Sequence, residues 1–370
     1  VGPFKSVLRR RRYDWAWHTA GLMLAFNCLA PILTPATPIL GMINEAEAGF
    51  MSSALLGAEL AGFELRGLAL RSDPPQAQAH WMPPSAPLSP TAVGRDVVSS
   101  AGRAASARQA AGDAAQEFLR KIGQPAQYLA MHTAALNGII AAHLFRLPAL
   151  PRPEPEPSGE AQTEREPSPA EIFNQVQAVI RDVLTFRGGF LRLEASESVE
   201  TGYWWLREPA GSATPLADRI EKALVNFLIR HPGCRFMELE RALNAEFPSL
   251  LTPDLELIHV LLDSYAVQAP LESDHWYLRL QDDPAARHQD LEAAHADLTA
   301  LAERLGFTMQ GSPPVWVDED GQVRYWFYLI ASAVIGEIIL GKPGAPPSPP
   351  EHSIIVLPGG RANLVAYKLR

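Results

Sequence analysis

Cysteine is almost missing: Cys28 and Cys234 are the only two in 370 residues. They lie far apart, so neither a disulfide framework nor a thiolate zinc site is suggested, and the usage fits a reducing cytoplasm. Excess positive charge is missing as well. Thirty-two Lys and Arg stand against 41 Asp and Glu, a net charge of −9. No global field draws such a chain to phosphates, and any nucleic-acid contact must rest on a local basic patch. An unbroken apolar run of membrane-spanning length is the third absence. Residues 19–44 carry no charge and follow Arg9, Arg10, Arg11 and Arg12, the flank a positive-inside span would have. Asn27, Pro31, Pro35 and Pro38 break the run into pieces of about a dozen residues, too short for a bilayer. No membrane partner is expected, and the run is too long and too proline-rich at its end for a secretory signal.

Proline is plentiful, with 33 residues, and 47% of the chain is apolar. A chain of this length can bury two or three cores, with Pro-rich linkers between them. Residues 81–90 and 148–169 have the Pro, Ser, Glu and Ala content of such linkers. The expected domains are 1–80, a linker region 81–168 holding a helical segment 101–146, a module over 169–280, and a C-terminal unit 281–370.

In residues 13–71 helix and strand patterns alternate. Trp15, Leu22, Phe26 and Leu29 recur near the helical period, Asp14 lies where the macrodipole favours an acid, and Pro31 stops the helix. The run 37–43 reads as a strand buried on both faces. Phe50, Leu55, Leu56 and Leu60 mark a second helix with Gly62 at its cap, and 64–70 is a second strand. Short connections imply crossover packing on a largely parallel sheet.

The segments Arg12-Tyr13-Asp14-Trp15-Ala16-Trp17-His18, Asn44-Glu45-Ala46-Glu47-Ala48-Gly49-Phe50 and Ala58-Glu59-Leu60-Ala61-Gly62-Phe63-Glu64-Leu65 resemble the C-terminal half of a Rossmann-like, S-adenosylmethionine-dependent DNA methylase. The resemblance covers roughly the first 80 residues. It implies that S-adenosylmethionine serves the parent protein and that the cofactor-binding half, with its Gly-rich loop, belongs to a missing N-terminal portion. This chain alone is then expected to bind no cofactor and to be inactive. Asp73, Pro74 and Pro75 resemble the acidic Asp-Pro-Pro-aromatic loop with which amino-methylating enzymes hold a flipped base. Gln76 stands where the stacking ring would be, and the same four residues also read as a Pro-rich strand exit.

Residues 101–145 read as Ala-rich helices broken at Gly123-Gln124-Pro125, with His132 and His143 as packing or surface residues. Residues 169–186 form an amphipathic helix, 190–193 and 203–206 a hairpin, and 216–230, 236–247 and 253–265 three helices closed by a strand at 275–280. This succession resembles a winged-helix module, whose third helix enters the major groove of DNA. Here that helix carries Asp254, Glu256 and Asp263 and no Lys or Arg. DNA is thus expected to be held through Arg230, Arg235, Arg241, His259 and Arg279, mostly at phosphates, or the module serves as a protein scaffold.

The remainder reads as a helix to Leu305 capped by Gly306, a hairpin from Val315 to Ile330 turning at 318–321, a buried strand at 354–357 and a helix at 361–369. Asp318, Asp320, Glu337 and Lys368 could serve metal-assisted phosphodiester cleavage if clustered. The alternative is a charged turn, and no metal site is expected. Gly359-Gly360 before a helix could cradle a phosphate or simply turn the chain. The whole is expected to be an α/β protein: a partial methylase sheet, a helical linker, a winged-helix-like module and a small C-terminal α/β unit. The rival function is a non-enzymatic DNA-binding or scaffold protein.

Overall fold

The computed structural model describes residues 14–84, 100–145, 167–187, 189–194, 196–269, 272–340 and 349–369. The chain divides into two compact units, Val1–Ser212 with Ser249–Thr252, and Ala213–Pro248 with Pro253–Arg370. Both mix helices with small open sheets. Among the described residues no helix is long and apolar enough to cross a membrane.

In the first unit, α1 (Trp15–Leu29) begins where the Asp14 carboxylate accepts the Trp17 backbone N–H at 3.0 Å, a side-chain cap for an orphan donor. β1 (Ile39–Ile43), α2 (Ala48–Leu60) and β2 (Glu64–Ser72) follow. Gly62 takes φ +82° just beyond α2, a left-handed position that glycine adopts without a Cβ clash. Asp73 and Pro74 then turn the chain, and β3 (Pro75–Met82) runs back along β2.

β3 is the element the sequence pattern hides. Two prolines and a following Pro-rich stretch suggest a strand exit, yet a proline is tolerated as the first residue of a strand. Beyond it Ala77, Ala79 and Trp81 are buried while Gln78 and His80 face the other way. The sheet order is β1-β3-β2, and both pairings are antiparallel. The two strands joined through α2 therefore run parallel to each other without touching. The expectation of a largely parallel sheet is corrected at this point: β3 is inserted, reversed, between them. β1 also differs from its expected burial on both faces, since Leu40 and Met42 are exposed.

α3 (Ser100–Ile122), β4 (Ala126–Gln127), α4 (Tyr128–Ala141) and α5 (Pro169–Asp182) complete a helical layer, with β5 (Phe190–Leu193) and β6 (Tyr203–Leu206) pairing in the order β4-β6-β5. Small residues let these helices approach closely. A Cβ at Gly57 would lie 2.9 Å from Leu22 Cβ, and one at Gly138 only 2.4 Å from the Ala110 carbonyl oxygen. Ala107, Ala111 and Ala115 are fully buried in α3. The segment expected as a linker helix is thus core. α5, opened by a Ser168–Glu171 capping box, and the β5–β6 hairpin also belong to this unit, so its boundary falls at Ser212 rather than at 168. Most of the Pro-rich stretches read as linkers lie outside the described residues.

His132 and His143 are both bonded within this layer. His143 Nδ1 lies 2.9 Å from the buried Glu59 carboxylate. His132 Nε2 is 3.4 Å from Ser52 Oγ and 3.3 Å from Gln177 Oε1, and Gln177 Nε2 donates to Ser52 Oγ at 2.6 Å. Burial pushes the His132 pKa down to about 4, against the Gln177 hydrogen bond that raises it.

The second unit opens with α6 (Leu216–Arg230), β7 (Cys234–Arg235), α7 (Phe236–Glu246), α8 (Leu255–Tyr265), β8 (Ala266–Ala269) and β9 (Glu272–Leu278), the strands antiparallel in the order β7-β9-β8. It continues through α9 (Pro284–Arg304), β10 (Thr308–Gln310), β11 (Val315–Val317), β12 (Val323–Leu329), α10 (Gly336–Ile339), β13 (Ser353–Val356) and α11 (Ala362–Lys368). Its second sheet has the order β10-β11-β12-β13, antiparallel except for the β12–β13 pair. Trp316 and Phe327 pack with Ala302 of α9 at its centre.

The buried histidine gives the first unit a pH dependence with a defined sign. An unfolded His132 binds a proton below pH 6.5, whereas the folded one refuses it until about pH 4. Stability should therefore fall as pH drops through that window, by at most about 3 kcal/mol. Urea melts of the native chain across the window should show the slope, and His132→Gln should flatten it.

Candidate nucleic-acid interface and a buried charge network

Three of the basic residues expected at DNA come from three successive elements of the second unit. Arg230 ends α6, Arg235 closes β7 opposite His275 of β9, and Arg241 lies on the outer side of α7; all three are exposed. His259 is exposed on α8, its ring stacked on Phe236 at 4.9 Å with 5° between planes. Arg279 is engaged elsewhere. Its guanidinium donates to the carbonyls of Ala266 at 3.2 Å, Ser264 at 3.3 Å and Asp263 at 2.5 Å, satisfying the end of α8. Four of the five residues expected at DNA thus face solvent, and the fifth caps a helix.

α8 has two chemically distinct faces. Leu257, Ile258, Leu261, Leu262 and Tyr265 are buried, while Glu256, His259 and Asp263 are exposed. The outward face is acidic, the wrong sign for phosphate.

Behind α8 lies the most concentrated chemistry in the unit. Lys368 Nζ of α11 is 2.6 Å from Asp218 Oδ1, bonds Glu221 Oε2, and donates to the Ala333 carbonyl at 2.9 Å. Asp218 Oδ2 accepts the Gly336 N–H at 2.9 Å, and Glu221 Oε1 accepts the Ala333 N–H at 2.7 Å and the Tyr265 hydroxyl. The Tyr265 hydroxyl is pushed well above the usual phenol range, first by burial and then by the Glu221 charge. On the other side of the ring, the Arg361 guanidinium sits 3.5 Å from its centroid. Arg361 also bonds Asp282 and the Ser264 carbonyl, and Arg287 reaches Asp282 at 2.8 Å. Three carboxylates, Asp218, Glu221 and Asp282, thus meet three cations, Lys368, Arg361 and Arg287.

This network is what the sequence reading missed. A signal was present: Asp218 and Glu221 fall at helical spacing beside Ile220, Leu224 and Leu228, the inward face of α6. Acids on a buried stripe demand a cation.

The other candidates are placed as follows. Asp73 and Pro74 form the β2–β3 turn and Pro75 begins β3. Asp318 accepts the N–H groups of Asp320 at 3.1 Å and Gln322 at 2.8 Å and pairs with Arg324 at 2.6 Å; these bonds hold its pKa below the ordinary carboxylate value. Glu337 accepts from Thr214 at 3.1 Å. Lys368 is buried between Asp218 and Glu221, so the imagined nuclease cluster is divided among separate partners. No group of three or more potential metal ligands occurs among the described residues. Gly359 and Gly360 form a short turn, in which the Gly360 carbonyl accepts from Ser264 Oγ at 2.9 Å.

Comparison with known protein families, with curated proteins and with solved structures gives no match in any of the three.

Lys368→Met should leave two buried carboxylates facing each other and destabilise the second unit by about 3–5 kcal/mol. Denaturant melts followed by tryptophan fluorescence would measure it. A loss of only a few tenths of a kcal/mol, the scale of an exposed pair, would show that the network is not buried in solution.

Proposed function

We propose that the chain is part of a DNA-modification protein: the back half of a Rossmann-like, S-adenosylmethionine-dependent methylase sheet, followed by a winged-helix-like module that holds DNA by its phosphates. The observation that carries the reading is the order β1-β3-β2, in which a reversed last strand is inserted between two strands that run the same way. The parallel pair β1 and β2, joined through α2, is the strand–helix–strand unit that the sequence resemblance implies. The winged-helix part is supported by the succession helix, strand, two helices, strand, strand with β9 central. Such a protein would work in the reducing cytoplasm that the cysteine usage suits.

Two measurements test the proposal. Isothermal titration of S-adenosylmethionine into this chain alone should give no micromolar binding, because no Gly-rich strand–turn–helix occurs among the described residues of the first unit to bring backbone amides to the cofactor. DNA binding should be weak, fall steeply with salt and differ little between two unrelated duplexes. Arg241→Ala should lower the salt slope by about one unit. Arg279→Ala should act on stability instead, since that side chain caps α8. Absence of binding to either duplex at low salt would remove the DNA half of the proposal.

A second reading is favoured by the acidic outward face of α8: the module is a protein scaffold that never meets DNA. A preference for one duplex that survives high salt and disappears in His259→Ala would overturn both the scaffold reading and phosphate-only contact.

A further inference from the structure

The strands β7, β9 and β8 make a small sheet with one face turned outward. Directly paired residues of an antiparallel sheet share a face, and so do residues two apart on one strand. Arg235 pairs with His275 and Val267 with Tyr277, which puts their side chains on the same side. The opposite side carries Cys234 and Ala266, both buried. On the outward side Arg235 is exposed, and Tyr277 and Val267 are 39% and 47% exposed. The Tyr277 ring is supported from below. Its hydroxyl end rests on Gly233, at φ +77°, where a Cβ would stand only 2.8 Å from the phenol oxygen. Just before that glycine the exposed His231 packs on Phe227 with centroids 4.5 Å apart, and Arg230 ends α6. A solvent-facing aromatic ring thus shares its sheet face with one arginine, and the turn that supports it leads from another.

We infer that this face is a stacking site for single-stranded DNA, with a base on the Tyr277 ring and the flanking phosphates at Arg235 and Arg230. The inference rests on the reading above that the module meets DNA, and it names the form of DNA that the module takes. Two observations favour a single strand over a duplex. A duplex keeps its base faces stacked inside, so an exposed ring can meet one only where the strand is unpaired. A duplex also brings two rows of phosphates, and the Glu256 and Asp263 carboxylates on the outward face of α8 oppose a broad anionic surface. One flexible strand presents a single row, which local cations can hold. Glu238 is the acid nearest in sequence to this face, and its carboxylate is already engaged by the Arg235 N–H at 2.9 Å. Stacking of this kind tolerates any base, because every base has a π face.

The test is fluorescence anisotropy of the full chain at low salt with three labelled probes of equal length: an oligothymidine strand, an abasic strand with the same phosphates, and a duplex. The oligothymidine is expected to bind about tenfold tighter than either of the others, the scale of one stacked base. Tyr277→Ala should remove that advantage and leave duplex binding unchanged, whereas Tyr277→Phe, which keeps the ring, should bind as the native chain does. The abasic comparison uses the native chain, so it reads base stacking even if the alanine variant folds poorly. Equal binding of the oligothymidine and abasic strands overturns the inference, and so does an advantage that survives Tyr277→Ala. A ribonucleotide strand bound tenfold tighter than its deoxy counterpart would overturn the assignment to DNA. Binding of the duplex with no preference for the single strand rejects the stacking site and keeps the phosphate-held reading of the module. Binding of none of the probes rejects both.

Discussion

One ammonium group holds the second unit closed. Lys368 Nζ reaches carboxylates 150 and 147 positions earlier in the chain, and its own burial is possible only because both accept from it. Each carboxylate is in turn tied to the turn before α10 through a backbone N–H. The last helix, the first helix and that turn are therefore fixed by the same three side chains. Tyr265 extends the constraint to α8, with its hydroxyl on Glu221 and its ring under Arg361. An isolated charge in such a place would cost several kcal/mol. Balanced charges with satisfied oxygens make the site tolerable, and they specify which helices meet more sharply than leucines would.

The first unit depends on a different constraint, close approach. Gly57 and Gly138 sit where any side chain would collide with a neighbouring helix, and the alanines of α3 fill a seam too narrow for leucine. This packing leaves little room for polar groups. Among those admitted, Ser52, His132 and Gln177 bond one another across three helices, which leaves His132 Nδ1 as a buried nitrogen without a partner. The sheet beneath is organised by β3, whose Trp81 fills the space that Gly41 leaves open and meets Phe26 from α1.

The helices and most strands were legible in the sequence because their signals are local. Period, cap and stop coincide at Asp14 and Pro31, at Gly62 and at Gly306. What was not legible depends on pairing. β3 begins at a proline, and its alternation is carried by alanines, which weigh little in a hydrophobic pattern. β10 is only three residues long. The charge network joins residues from opposite ends of the second unit, and sequence spacing cannot report such a contact. Asp218 and Glu221 announced that something cationic had to face them, but nothing local pointed to Lys368. Arg279 adds a role that spacing cannot report: its guanidinium completes the terminus of α8.

The same geometry narrows how the second unit could meet DNA. The inward face of α8 is committed to the core, its C-terminal carbonyls to Arg279, and its outward face bears Glu256 and Asp263. A helix N-terminus can hold an anion by its free amides, but at α7 the Glu238 carboxylate already accepts the Arg235 N–H at 2.9 Å. That slot is filled from within the chain. Side-chain charge, at Arg230, Arg235, Arg241 and the exposed Lys222 of α6, is what remains, and such cations on different elements can neutralise a backbone without reading a base edge. On the proposed reading, contact of this kind holds DNA through its backbone charge and carries no sequence selectivity of its own.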